Sequence, residues 1–294
     1  MDTIIQILAR ELGRSEAHVE NVVRLIDEGN TIPFIARYRK ELHGAMDDTA
    51  LRTLADRLQY LRNLDKRREE VKSAIEGQGK LTEELSAAID AAATLAEVED
   101  LYRPYKQKRR TRATVAREKG LEPLAELLFA QAADGPAPEE AAGAFIDPEK
   151  GVETAEDALQ GASDIIAERI SDDADIRKRL RELVWKKGYL VSAAAAKEPE
   201  DTVYRLYYAF RSPLNRVQGH QVLAVNRGER EGVLKVSVEM EREAALIPVR
   251  RAVLNPGAPA MAFVRAAAED AYDRLIFPSV EREMRSLLTE QADE

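Results

Sequence analysis

The sequence predicts a mainly α-helical protein, an elongated multi-helix bundle with a small β element in its last third. Helix-forming residues dominate the composition, and aromatic residues make up only 5% of it. Apolar residues recur at helical spacing along most of the chain. Only residues 189–195 and 233–238 have the pattern of strands, and in the second of these Leu234, Val236 and Val238 alternate with polar residues.

Three short helices separated by glycine-marked turns are predicted at the N-terminus. Thr3, Ser15 and Thr31 stand where the side chain of a capping residue would accept a hydrogen bond from the first turn. The third of these helices is expected to reach Glu41. This succession of short helices resembles a helix-turn-helix arrangement.

One long helix is predicted over residues 49–76, with a length of roughly 42 Å at about 1.5 Å per residue. Its apolar residues lie on a single stripe, so we expect it to be the spine of the bundle. The members of the stripe are Leu51, Leu54, Leu58, Leu61, Leu64, Val71 and Ile75.

The later elements follow from capping residues, prolines and glycines. Pro104 ends a helical turn, residues 105–110 form an exposed loop, and Thr111 caps the helix that follows. Further helices are expected at residues 82–93, 123–129, 154–170, 173–185, 260–277 and 278–291, with helical turns at 202–210 and 220–226.

A stretch rich in proline and glycine divides the chain. Gly135, Pro136 and Pro138 lie close together, and a second loop spans Pro148 to Gly151. We therefore expect an N-terminal helical domain over residues 1–131, a linker over 132–153, and a helical segment with the β element over 154–294.

Positive charge is concentrated in one segment. Eight basic residues between positions 103 and 119 face only Glu118, so the segment carries +7 while the whole chain carries −9. The basic residues are Arg103, Lys106, Lys108, Arg109, Arg110, Arg112, Arg117 and Lys119. A positive loop on an acidic protein predicts an anionic partner.

We expect the loop to bind RNA or DNA weakly and without sequence preference. The candidate contacts are Tyr105, Lys106, Lys108, Arg109, Arg110 and Arg112. Basic side chains would neutralise phosphates, and Tyr105 would offer a surface on which a base stacks. The alternatives are docking on an acidic protein face and a solvated surface without a partner.

Several other function classes lack their sequence signals. There is no cysteine, no apolar run long enough for a membrane span, and no secretory signal pattern. Glycine-rich phosphate loops and nucleophile motifs are absent, and the three histidines are isolated in sequence. We expect a cytoplasmic protein that is not an enzyme, with no catalytic residues, no metal and no cofactor.

Four motifs resemble those of the Tex proteins, bacterial transcription accessory proteins related to a eukaryotic transcription elongation factor. They are Ile32-Pro-Phe-Ile-Ala-Arg-Tyr-Arg-Lys-Glu-Leu, Asp100-Leu-Tyr-Arg-Pro-Tyr-Lys-Gln-Lys-Arg-Arg-Thr, Pro213-Leu-Asn-Arg-Val with Asn226-Arg-Gly-Glu-Arg-Glu-Gly-Val-Leu, and Phe277-Pro-Ser-Val-Glu-Arg-Glu. The sequence departs from the family at Gln218-Gly219-His220, where Pro-Ser-His is usual, and at Ala209, where an acidic residue is common.

The resemblance implies a nucleic-acid-associated transcription accessory module. Tex proteins continue into a ribonuclease-H-like domain, a helix-hairpin-helix pair and a C-terminal OB-fold that binds RNA, and we expect this chain to end before them. It would then be either a piece of a longer protein or a naturally short relative. The expected partners are RNA or DNA, RNA polymerase or the ribosome, and those C-terminal domains. The alternative is a helical scaffold that docks onto the transcription or translation machinery without binding nucleic acid.

Overall fold

A computed structural model describes residues 2–293 and confirms the mainly α-helical class with a small sheet in the last third. The chain forms two compact units, residues 2–102 and residues 103–293. The boundary between the two units lies between Tyr102 and Arg103. The domains predicted from composition, with boundaries at residues 131 and 153, stay a prediction. Among the described residues, no helix combines the length and the apolar character needed to cross a membrane.

The N-terminal unit contains these helices: Ile4–Leu12 (α1), Glu16–Asp27 (α2), Ile32–Tyr38 (α3), Lys40–His43 (α4), Asp48–Gly77 (α5), Glu83–Ala91 (α6) and Leu95–Tyr102 (α7). The second unit contains the remaining helices: Arg112–Glu118 (α8), Glu122–Ala130 (α9), Pro138–Ala142 (α10), Ala155–Ser171 (α11), Ala174–Lys187 (α12), Gly219–Arg230 (α13), Arg242–Val253 (α14), Met261–Asp270 (α15) and Phe277–Asp293 (α16). Its strands are Tyr189–Ala194 (β1), Ala209–Pro213 (β2) and Leu234–Glu239 (β3).

The first three helices begin where the sequence predicted. The side chains of Thr3, Ser15 and Thr31 each accept a hydrogen bond from a first-turn N–H and so cap α1, α2 and α3. The third helix ends earlier than expected, at Tyr38, because Arg39 has a non-helical φ of −130°. The helix-turn-helix interpretation of these helices stays a prediction.

The long helix α5 is the spine of the N-terminal unit. Asp47 caps it by accepting a hydrogen bond of 2.7 Å from the N–H of Ala50. All seven apolar residues of the predicted stripe are buried. Helices α1, α2, α3, α6 and α7 pack against α5, so the stripe supplies the surface on which this unit assembles.

Helix α11 has the corresponding position in the second unit. Its residues Ala158, Ala162, Ile166 and Ile170 are buried, and α8, α9, α10 and α15 pack against it. The small side chains of Ala158 and Ala162 let the neighbouring helices approach α11 closely. Four helices can therefore pack around it.

Residues 132–153, predicted as a linker, contain regular structure and buried side chains. They include α10, and a bridge pairs Asp147 with Val152. Ala142 and Val152 are fully buried in the core of the second unit. Pro138 occupies the first turn of α10. A proline is favourable there, because an N–H at this position would have no partner within the helix.

The three strands form an antiparallel sheet in the order β2–β1–β3. Tyr189 at the start of β1 pairs with Pro213 of β2 and with Glu239 of β3. The predictions of β1 and β3 are confirmed. The prediction of helical turns over residues 202–210 is wrong at its end, because β2 begins at Ala209 after a 3₁₀ turn at Arg205–Tyr207. As an edge strand, β2 tolerates a terminal proline that sequence patterns count against a strand.

The two helices predicted for residues 260–277 and 278–291 form one helical run. A π-helical turn at Ala271–Ile276 joins α15 to α16. Pro278 has no N–H to bond the carbonyl of Arg274, and the π-helical turn lies where that bond is missing. Helix α14, which was not predicted, contains Pro248 in its interior.

Candidate nucleic-acid interface

The predicted basic loop connects a 3₁₀ turn at Arg103–Tyr105 to the start of α8. Thr111 caps α8 by accepting a hydrogen bond of 3.1 Å from the N–H of Thr114. Residues 106–110 are exposed to solvent, as predicted, whereas Tyr105 is half-buried within the 3₁₀ turn.

Acidic residues at the C-terminal end of α11 lie against this loop. Asp164 and Glu168 of α11 and its C-cap residue Asp172 follow one another at intervals of four residues and so lie on one side of the helix. Lys108 forms an ion pair with Asp172, and its Nζ lies 3.7 Å from Oε1 of Glu168. The positive segment is therefore partly neutralised from a part of the sequence about 60 residues away.

Glu168 binds three residues of the basic segment. Its Oε1 accepts a hydrogen bond of 2.9 Å from Nη1 of Arg117, and its Oε2 accepts one of 2.9 Å from the hydroxyl of Thr111. Burial by itself raises the pKa of Glu168, but the hydrogen bond from Arg117, the charge of Lys108 and the hydrogen bond from Thr111 outweigh it and hold the pKa below its ordinary value. Glu168 is thus an ionised carboxylate that fixes α8 to α11.

Asp164 has the opposite shift. Burial raises the pKa of its carboxyl, and the hydrogen bond from Gln160 and the charges of Arg274 and Arg112 offset only part of that effect. The two carboxyls are one helical turn apart, so different local partners separate their pKa values.

The remaining candidate residues for nucleic-acid binding differ in their exposure and in their contacts with the rest of the chain. Among residues 2–293, the side chain of Arg109 forms no hydrogen bond or ion pair, and Arg110 lies 3.1 Å from Glu118, with both side chains largely exposed. Arg112 is exposed on the first turn of α8. Lys106 is exposed as well, and both it and Tyr105 interact with other residues of the chain.

The structure therefore brings together only part of the predicted set. Arg109, Arg110 and Arg112 keep exposed positive charge, whereas Lys108 is held by Asp172 and Glu168. Within the segment the sequence counts only Glu118 against the basic residues, and the pairing with Glu168 and Asp172 was not predicted. The signal that points to these two residues is the spacing of 164, 168 and 172, of which the first two lie on the helix predicted over residues 154–170.

A second exposed group occupies α3. The rings of Phe34 and Tyr38 have centroids 5.2 Å apart. The guanidinium of Arg37 lies 5.9 Å from the ring centroid of Tyr38, and that of Arg39 lies 5.9 Å from the ring centroid of Phe34. All four side chains are exposed, so α3 presents aromatic and cationic surface to solvent.

Comparison with known proteins gives two matches to family models. Residues 2–76 match the model described as the Tex-like protein N-terminal domain, and residues 134–294 match the one described as Tex central region-like. The second match covers more than half of the chain.

Individual relatives match along almost the whole chain. Uncharacterized protein YdcI of Bacillus subtilis is 46% identical over 292 residues, 98% of this chain and 40% of its own. Transcriptional accessory protein Tex of Neisseria gonorrhoeae is 38% identical over 99% of this chain and 39% of its own, and the human S1 RNA-binding domain-containing protein 1 is 31% identical over 99% and 30%. The chain thus spans two fifths or less of the length of these relatives. Because the Tex central region-like model matches more than half of the chain and the Tex-like N-terminal model matches its start, the chain belongs to the Tex family.

Proposed function

We propose that this chain is a nucleic-acid-associated module of a transcription accessory protein, and that its basic loop contacts the phosphates of RNA or DNA without reading their sequence. The names of two relatives support the general role, one a transcriptional accessory protein and the other an S1 RNA-binding domain-containing protein. The observation that carries the local assignment is the exposed charge of Arg109, Arg110 and Arg112.

The arrangement ranks the candidate contacts. Arg109 has no ion-pair partner in the described chain, and the exposed pair of Arg110 with Glu118 costs little to exchange for a phosphate. Lys108 would have to leave two carboxylates and so contributes less. Lys106 and Tyr105 stand beside these arginines and would add a charge and a stacking surface.

The binding should be weak because the rest of the chain carries −16 and repels nucleic acid away from the loop. Neutralising about three phosphates predicts a slope of log affinity against log salt of about −2.7 for duplex DNA and about −2 for a single strand.

A salt titration of fluorescence anisotropy with labelled single-stranded RNA and duplex DNA tests the proposal. The double variant Arg109→Gln/Arg110→Gln should bind about tenfold more weakly with a flatter salt slope. A matched control, Arg52→Gln/Arg205→Gln, removes two exposed arginines elsewhere and should bind within about twofold of wild type. Absence of binding by the wild-type chain at low salt, or equal losses in the two double variants, would overturn the assignment.

We propose that this role involves no catalytic step. The basic loop neutralises and positions phosphates, and the proposal gives none of its residues the part of nucleophile or general base. Hydrolysis of RNA, DNA or nucleoside triphosphate by the purified chain, absent from a mock preparation, would contradict this part of the proposal.

A second candidate role is a helical scaffold that docks onto a protein of the transcription or translation machinery, such as RNA polymerase or the ribosome. The exposed group of Phe34, Arg37, Tyr38 and Arg39 favours it, because aromatic residues and arginine are enriched in protein interfaces. Capture of the same partner after nuclease treatment, lost in Phe34→Ser/Tyr38→Ser and retained in Arg109→Gln/Arg110→Gln, would establish this role. A capture abolished by nuclease would exclude it.

A further inference from the structure

A cavity of about 340 Å³ lies beside the ion pair of Lys108, between α8, α11, α12 and the run from the π-helical turn into α16. Six basic side chains line it: Arg103, Lys108, Arg112, Arg177, Arg274 and Arg282. Its only acidic lining residues within the described chain are Asp164, Glu168 and Asp172. The lining thus carries a net charge of +3 in a chain of net charge −9.

The three carboxylates already have basic partners. Asp172 and Glu168 hold Lys108, and Glu168 also binds Arg117. Arg274 lies 3.8 Å from Asp164 and 2.9 Å from Asp270. The three acidic residues of the lining are therefore already paired with Lys108 and Arg274 of the lining and with Arg117, which lies outside it.

A third basic residue of the lining is fixed within the wall. Arg177 is only 1% exposed, and its guanidinium donates to the carbonyl and the hydroxyl of Ser171 and, over 3.2 Å, to the hydroxyl of Ser279. These contacts hold α12 and α16 together on one side of the cavity.

Three arginines of the lining keep hydrogen-bond donors for a ligand. Nε of Arg103 is buried and has no hydrogen-bond partner. The side chains of Arg112 and Arg282 are exposed and form no hydrogen bond or salt bridge within residues 2–293. A buried donor without a partner is unfavourable, and arginines that line one cavity suit an oxyanion.

A neighbouring cavity of about 550 Å³ provides the contrast. It shares Lys108, Glu168 and Asp172 with the first, but its lining includes four basic and five acidic residues. Its net charge of −1 does not favour an anion. Of these two cavities, only the smaller one has a positively charged lining.

We propose that the smaller cavity binds the phosphate of a phosphomonoester, with Arg103, Arg112 and Arg282 as its ligands. A terminal phosphate carries up to two negative charges, which matches a lining of +3 better than the single charge of a carboxylate or a phosphodiester. The volume is within the range of small-ligand sites, and Leu275 and Pro278 supply apolar wall. The phosphate belongs either to a nucleic-acid end or to a free nucleotide.

This site shares Lys108 and Arg112 with the candidate loop contacts, whereas Arg109 and Arg110 lie outside its lining and Arg282 lies outside the loop. The variants Arg109→Gln/Arg110→Gln and Arg282→Gln therefore test the two sites separately. Arg282→Gln and Arg112→Gln remove exposed side chains without partners, so neither variant should unfold the protein. Fluorescence of Trp185, the one tryptophan of the chain, verifies the fold of this unit.

Isothermal titration calorimetry of the full chain at low salt tests the site with inorganic phosphate, adenosine monophosphate, and an RNA hexamer with a 5′-phosphate or a 5′-hydroxyl. We expect the wild type to bind at least one phosphomonoester probe, and both single variants to bind it at least fivefold more weakly. The loop variant Arg109→Gln/Arg110→Gln should bind adenosine monophosphate within twofold of wild type.

Comparison of the two RNA hexamers with adenosine monophosphate distinguishes a nucleic-acid end from a free nucleotide as the source of the phosphate. Tighter binding of the 5′-phosphate hexamer than of both the 5′-hydroxyl hexamer and adenosine monophosphate, with the difference lost in Arg282→Gln, assigns the site to a nucleic-acid end. Equal affinity for adenosine monophosphate and the 5′-phosphate hexamer assigns it to a free nucleotide. No binding of any phosphomonoester, or equal binding by wild type and both single variants, overturns the site even where the loop still binds RNA.

Discussion

Oε1 of Glu168 accepts a hydrogen bond of 2.9 Å from Nη1 of Arg117, a residue 51 positions earlier in the chain. This contact joins α11 to α8. The hydroxyl of Thr111 also donates to the Glu168 carboxylate, and the ammonium of Lys108 lies nearby, so three residues of the basic segment interact with one carboxylate. The segment for which the sequence predicts an external anionic partner therefore also has a carboxylate partner within the chain. Four predictions follow from this and from the packing around α11.

Glu168→Gln should lower the free energy of unfolding of the second unit by about 1 kcal/mol at neutral pH, because the mostly buried carboxylate loses its charge opposite the partly exposed Arg117. The folded-state pKa of Glu168 lies below its ordinary value of 4.5. Its contribution is therefore fully present above about pH 4.5 and is lost as the pH falls through the folded-state pKa.

Urea unfolding followed by Trp185 fluorescence at pH 7 and at pH 3 to 4 measures this effect. The difference between wild type and Glu168→Gln should shrink at the acidic end. A difference that is constant with pH would show that the carboxylate charge contributes nothing and would contradict the prediction.

Asp172→Asn should strengthen the binding of RNA by the loop. Lys108 loses the nearer of its two carboxylate partners and keeps only Glu168 at 3.7 Å, so it becomes more available for a phosphate, and the salt slope should steepen by up to about 0.7 for a single strand. Anisotropy titrations at several salt concentrations measure the slope. Asp201→Asn, which removes an exposed acidic residue elsewhere, is the matched control. An equal gain in affinity in both variants would show that the change in net charge, and not the release of Lys108, strengthens the binding.

Arg177→Met should destabilise the second unit by about 3 kcal/mol, because Ser171 would keep a buried carbonyl and hydroxyl without their donor. Arg177→Lys should not restore stability, since one ammonium cannot reproduce the guanidinium's bonds to both Ser171 and Ser279. The exposed neighbour Arg179 provides the control, and Arg179→Met should change stability by less than about 0.5 kcal/mol. Chemical denaturation gives all three values, and full stability of Arg177→Lys would refute the argument.

Gly161→Ala should destabilise the second unit although alanine favours a helix by about 1 kcal/mol. The added Cβ would lie 2.2 Å from Cδ1 of Leu121 and 3.3 Å from Cβ of Ala116. Since Leu121 is fully buried, relief requires repacking that costs about 1–3 kcal/mol. Gly143→Ala meets no atom within 4 Å and should be neutral or stabilising. Thermal unfolding of both variants decides, and a higher melting temperature for Gly161→Ala would disprove the close packing.

Local chemistry explains what could be predicted from the sequence. The caps at Thr3, Ser15 and Thr31 and the buried stripe of α5 depend on residues within one or two turns, so spacing alone reveals them. The four motifs likewise identified the family before any contact was known. Within the candidate site, the exposed loop and the cap at Thr111 were predicted for the same reason.

Contacts between distant segments explain what could not be predicted. β2 is a strand because β1 pairs with it, and residues 132–153 are ordered because Ala142 and Val152 are buried in the core of the second unit. The availability of each basic side chain also depends on such contacts, since Asp172 lies 64 positions from Lys108. By itself the sequence determined the helical class, the family and the location of the positive charge. Only the tertiary structure decided which of those charges are neutralised within the chain, because an ion pair depends on distance in space and not on separation in sequence.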